Sequence, residues 1–152
     1  MTIYEKLQSL GITLPPVATP AAAYVPYVQT GNLVFVSGNI ARKDGAPWIG
    51  QLGKNISVEE GKAAARSCAI GLIAALDAAT GGRLERVGRI VKVMSLVNST
   101  SEFTEQHLVT NGCSELLGQV FGERGQHARS AFGVAQIPMG ACVEIELIAE
   151  LL

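Results

Sequence analysis

"RSAFGVAQIPMGACVEIELIAE", Arg129 to Glu150, is the stretch whose reading decides the fold. One arginine opens it, and small and apolar residues run without a charge to Pro138-Met139-Gly140. Such a Pro/Gly cluster marks a turn. The chain returns with Glu144, Glu146 and Glu150 at every second place, broken only at Ile148. That alternation is the pattern of a strand with one polar side. Two strands about a turn read as a hairpin, and loop length then sets which residues share a face. An even loop pairs Ala141 with Pro138. It sets Arg129 opposite Glu150, Ala131 opposite Ile148, Gly133 opposite Glu146 and Ala135 opposite Glu144. Phe132 and Val134 then share the other face with Val143, Ile145 and Leu147. Large apolar residues are expected under helices, with the arginine, the glutamates and the small residues on an open face.

Working outward, Ile3, Leu7 and Leu10 have helical spacing, with Gly11 as a stop. "YVQTGNLVFVSG" (residues 27–38) reads as two strands about Thr30-Gly31-Asn32. Its "LVFV" is apolar at both parities, so that strand is expected to be buried on both faces. Asp44-Gly45 signals another turn. Ser57-Val58-Glu59-Glu60 has the form of a capping box and predicts a helix to about Thr80, with Ala65, Ala69, Leu72, Ile73 and Leu76 as its stripe. Gly81-Gly82 ends it. "RIVKVMSLV" (residues 89–97) is a strand. A second helix is expected from Ser101 or Glu102 to about Phe121, with Phe103, Val109, Cys113, Leu116, Leu117 and Val120 inward.

The order hairpin, helix, strand, helix, hairpin predicts a two-layer α+β domain, a mixed sheet with two helices on one face. It is expected to be a single domain over residues 1–152, with an N-terminal extension of about residues 1–20. The uncovered sheet face would be apolar, and an apolar face of that size implies a homo-oligomer.

Composition narrows the function. Hydrophobic residues make up 48% of the 152 and charged residues only 16%, which again suggests surface buried against a partner. Twelve basic residues meet thirteen acidic ones, and aromatics are 5%, which argues against a nucleic-acid partner. Arg83, Arg86, Arg89 and Lys92 read as a solvated stripe. Cys68, Cys113 and Cys142 are odd in number with no CxxC, so no metal site, cofactor or disulfide framework is expected. No signal peptide and no membrane span are evident, and a cytoplasmic location is expected. G-x-S-x-G is absent. His107 and His127 read as surface or structural side chains, and Trp48 as a packing anchor.

Arg129 admits two readings. Its planar fork beside Ala131, Gly133 and Ala135 suits a carboxylate ligand held at two points. It also suits a cross-strand ion pair with Glu150. In the hairpin register Arg129 and Glu144 stand six residues apart along the ladder, roughly 20 Å. A site using both therefore points to two subunits.

"ARSAFGVAQIP" (residues 128–138) followed by "VEIELIA" (residues 143–149), with "YVPYVQTGNLVFVSGNI" (residues 24–40) upstream, resembles the YjgF-type reactive intermediate (Rid) deaminases, also called endoribonuclease L-PSP. The resemblance covers Ala23 to Leu151. It implies a chorismate-mutase-like fold and a homotrimer with a ligand cleft at each subunit interface. It implies hydrolysis of reactive 2-imino and 2-enamino acids to 2-keto acids and ammonia, without a cofactor. By the same resemblance Arg129 binds the substrate carboxylate and Glu144 positions the attacking water. Tyr27, Ser37 and Gly38 line the cleft, and Ala131 stands where the family often has cysteine. A small carboxylate-bearing metabolite is the expected partner. Two other classes remain open, a non-catalytic metabolite binder and an endoribonuclease.

Overall fold

The computed structural model describes residues 1–17 and 22–152. Helices are α1 (Ile3–Ser9), α2 (Val58–Ala79) and α3 (Gln106–Phe121), and strands are β1 (Tyr27–Thr30), β2 (Leu33–Ile40), β3 (Arg42–Lys43), β4 (Ala46–Pro47), β5 (Val87–Asn98), β6 (Ala128–Val134) and β7 (Val143–Leu151). The main sheet has the order β1-β2-β7-β5-β6, and β3 with β4 forms a small separate ribbon. The two-layer α+β architecture is thus the one expected.

Local chemistry places the elements. Ser57 caps α2: its hydroxyl accepts from the Glu60 N–H at 3.1 Å, and the Glu60 carboxylate accepts from the Ser57 N–H at 3.1 Å. Ala65, Ala69, Leu72, Ile73 and Leu76 are buried, as their spacing requires. Thr2 and Glu5 make a second capping box at α1, and Leu7 enters the core. Asp44 and Gly45 both have positive φ, 53° and 79°, so the Asp-Gly pair makes the tight turn between β3 and β4. Helix α3 starts at Gln106 rather than at Ser101 or Glu102. The Thr100 N–H is committed to the Leu52 carbonyl at 3.0 Å, and that tie holds the chain off the helical path until Glu105.

The hairpin expected over residues 129–150 is not formed. Strand β6 runs parallel to β5, with Arg129 level with Val93 and Ala131 level with Ser95. Strand β7 instead lies between β2 and β5, antiparallel to both. Glu150 is level with Leu33 and Arg89, so the Arg129–Glu150 ion pair does not exist. The cause is burial. Val143, Ile145, Leu147, Ala149 and Leu151 are all buried, and a strand carrying five such residues is best served at the sheet's centre. The loop after β6 is long enough to cross the end of β5, and β5, α3 and β6 make a parallel crossover unit.

The changed pairing reassigns faces. Val143, Ile145 and Leu147 do lie under the helices, but Phe132 is 43% exposed on the opposite face. Arg129 shares the helical face with Val93 and Leu147, whereas the glutamates of β7 share the open face. In β2, Val34 and Val36 are buried while Phe35 is 43% exposed, so in a single chain that strand is covered on one face. Val28, Phe35 and Ile148 lie side by side on that open face across β1, β2 and β7. No helix among the described residues is long and apolar enough to cross a membrane.

The helical layer is close-packed at one glycine. A Cβ at Gly112 of α3 would collide with the Lys62 carbonyl of α2. Gly112→Ala is therefore expected to cost about 3 kcal/mol, as overpacking of a backbone contact does, read from the midpoint of urea unfolding. The thiols are also sealed: burial pushes Cys113 up to about 12 and Cys142 up to about 11, and Cys68 is raised as well, first by burial. A thiol-titrating reagent should find none of the three cysteines at once in the native protein and all three after denaturation.

Candidate active site

The first half of the site is built by an irregularity in β2. Its pairing with β7 shifts between Val36 and Asn39. Backbone and side chain tie the bulge down. The Ser37 N–H donates to the Pro26 carbonyl at 2.9 Å, the Ser37 hydroxyl to the Val25 carbonyl at 2.6 Å, and the Asn39 amide to the Ser37 carbonyl at 3.1 Å. The displaced backbone leaves room for the Glu144 side chain of the neighbouring strand. A Cβ on Gly38 would stand 2.7 Å from Glu144 Oε2, so the carboxylate lies directly against the glycine backbone. A cavity of about 120 Å3 opens in front, lined by Tyr24, Ser37, Asn39, Arg42, Met139 and Glu144 among others.

Glu144 is half-buried and, among the described residues, has no ion-pair partner. Burial raises its pKa above the usual carboxylate value, and the like charge of Glu146 adds to the rise. A carboxylate held this way is a better base than an exposed one.

The second half surrounds Arg129 at the outer edge of the sheet. Its Nη1 donates to Asn111 Oδ1 at 2.8 Å and to Ser114 Oγ at 3.2 Å, and its Nη2 donates to the His107 carbonyl at 3.1 Å. All three acceptors belong to α3. Three of five guanidinium N–H groups are thus occupied, and two remain for a ligand. His127 steadies the arrangement. Its Nδ1 lies 2.6 Å from the Gly125 carbonyl, which only accepts, so Nδ1 carries a proton. In the neutral ring Nε2 then accepts from Ser114 Oγ, 2.9 Å away. A surface pocket of about 340 Å3 lies beside Ser114, His127 and Arg129.

Glu144, Ser37 and Gly38 therefore lie together at one cavity. Tyr27 does not line their cavity; it packs against the core, and Tyr24 takes the place at the cavity. Arg129 and Ala131 lie on the other face of the sheet and two strands away, roughly 14 Å along the backbone grid from Glu144. One chain does not bring the two halves together. Sequence reasoning missed Asn111 and Ser114, which hold the arginine, and Arg42, which lines the Glu144 cavity. Arg42 had a signal: it follows Ile40, the partner of Glu144, by two residues and so shares its parity.

Comparison with known proteins bears on family and fold. The family model described as "YjgF/chorismate_mutase-like, putative endoribonuclease" matches residues 4–151. The protein TCP17 of Trypanosoma cruzi is 50% identical over 151 residues, 98% of this chain and 94% of that one. The crystal structure of Atu1372 from Agrobacterium tumefaciens superposes with a TM-score of 0.91 at 41% identity, covering 99% of this chain and 94% of that one. A structure from Shewanella oneidensis, named as an endoribonuclease of that provisional kind, gives a TM-score of 0.95 at 32% identity over 99% and 100% of the two chains. Sequence and fold lead to one conclusion: the chain belongs to the YjgF/chorismate-mutase-like family.

Proposed function

We propose that the protein is a hydrolytic deaminase of small 2-imino and 2-enamino acids, acting at clefts between the subunits of a homotrimer. The observation that carries the reading is Glu144: a half-buried carboxylate with a raised pKa and no counter-ion, facing an open cavity. In the reaction Arg129 of a neighbouring chain holds the substrate carboxylate at two points. Glu144 takes a proton from water as the oxygen attacks the imine carbon. It then passes that proton to the nitrogen, the C–N bond breaks as the hydroxyl proton returns to Glu144, and ammonia and the 2-keto acid leave. An iminium carbon is already electrophilic, so positioning and one base are enough.

The trimer is supported by the exposed apolar face about Val28, Phe35 and Phe132, and by the separation of Arg129 from Glu144 within one chain. Three free buried cysteines fit a reducing, cytoplasmic setting. A ribonuclease reading has less support, since Arg42 is the only cation lining the Glu144 cavity among the described residues.

The test is release of ammonia and keto acid from imino acids generated in place by an amino-acid oxidase. Wild type should accelerate it, and absence of any acceleration leaves a metabolite-binding protein. Arg129→Lys should lower kcat/KM by roughly 30- to 1,000-fold, because an ammonium cannot make the planar two-point contact. Glu144→Gln should keep 2-keto acid binding and lower kcat.

Stability should move the other way. A raised carboxyl pKa stabilises the fold while the group is protonated, and that stability is lost as pH climbs through the raised value. Glu144→Gln removes the cost of the buried charge. It should melt higher than wild type near pH 8, with the gap closing toward about pH 4 in thermal scans.

A further inference from the structure

We infer that Arg42 makes the site selective for 2-imino acids that carry a second carboxylate on the side chain. The inference rests on the reading of Glu144 as the group at the reacting carbon. Arg42 and Glu144 are the charged residues lining the cavity among those described, and they enter it from adjacent segments. Ile40 is level with Glu144, and Arg42 follows on the same side by two residues, about 7 Å along an extended chain. Between them Ala41 is buried and its N–H donates to the Val143 carbonyl at 2.8 Å, which holds this segment on β7.

The backbone of Arg42 is fixed while its guanidinium is not committed. Its N–H donates to Ser67 Oγ of α2 at 3.0 Å. Among the described residues its side chain has no ion-pair partner and no hydrogen-bond acceptor. The next residue, Lys43, turns to the other side, with Nζ 5.1 Å from the Trp48 ring centre. Alternation along β3 thus directs one cation to an aromatic ring and leaves the other at the cavity. Arg42 also borders a second cavity of about 280 Å3, which shares Asn39, Ile40, Arg42 and Gly71 with the first.

These placements divide the work among three groups. The carboxylate next to the imine takes Arg129 of the neighbouring chain, and the imine carbon lies at Glu144. A side chain of two or three carbons directed along the cavity brings its terminal carboxylate to Arg42. An apolar side chain of the same length would leave that guanidinium with water alone. The enzyme that supplies such a substrate must oxidise an acidic amino acid at its α-carbon.

The experiment titrates two stable product-like probes into the full-length protein by calorimetry: 2-oxoglutarate, and 2-oxopentanoate, which has the same chain length and no second carboxylate. Wild type should bind 2-oxoglutarate at least about tenfold more tightly, as a charge-assisted contact implies. In Arg42→Gln that ratio should fall toward one, and Arg42→Lys should restore part of it. A ratio near one in wild type, a ratio retained in Arg42→Gln, or no binding of either probe overturns the inference. The wild-type ratio decides alone should a variant fold poorly. Turnover separates this claim from the deaminase reading. An Arg42-dependent preference without imine hydrolysis would reject the deaminase and keep the selectivity, whereas hydrolysis without the preference would do the reverse.

Discussion

The structure depends on where β7 lies. Its five buried side chains require helices above it and a strand on each side, and only the place between β2 and β5 provides both. Once β7 is central, Glu144 must stand beside the bulge of β2. Strand β6, displaced to the edge, can pair only with β5 and must run parallel to it. That parallel pairing turns Arg129 toward α3, where Asn111 and Ser114 hold it. The separation of arginine from glutamate is therefore a consequence of core burial, and it makes a second chain a requirement for any site that uses both.

Two electrostatic environments result. Glu144 sits in a partly dry place with a like charge on the same face and no ion-pair partner among the described residues, so its carboxyl holds a proton more strongly than usual. Such a group is costly to the fold, and the cost stays only where the charge has a use. Arg129 is the reverse. Neutral oxygens occupy part of its donor set and fix its plane, leaving its charge uncompensated and two N–H groups free. Neither Glu144 nor Arg129 has an ion-pair partner among the described residues. In the proposed reaction the substrate carboxylate meets Arg129 and the imine carbon meets Glu144.

The local features of this fold were legible in the sequence, because their causes are local. The Ser57 cap, the Asp44-Gly45 turn and the stripe of α2 depend on residues a few places apart. The partition of β7 into buried and polar sides was legible too, since period two survives any pairing. What it faces was not. A hairpin and a strand inserted elsewhere share the same alternation, so the wrong partner for β6 carried Arg129 to the wrong face. Helix α3 began late because a tie between Thr100 and Leu52, distant in sequence, overrode the local start signal. Ser37, Gly38 and Glu144 were singled out through family resemblance and share one cavity, while Tyr24 lines it in place of Tyr27 because the β2 bulge and the Pro26 carbonyl set the lead-in's path.

The central claim is that each site takes Arg129 from one chain and Glu144 from another, and subunit mixing tests it most directly. Arg129→Ala chains and Glu144→Gln chains, each inactive alone, are unfolded together and reassembled in equal amounts. If the halves come from different chains, about one site in four regains both groups by random assortment in a closed ring, and imine hydrolysis returns to about a quarter of the wild-type rate. If both groups act within one chain, no mixture contains an intact site. Activity that stays at the level of the separate variants would contradict the account.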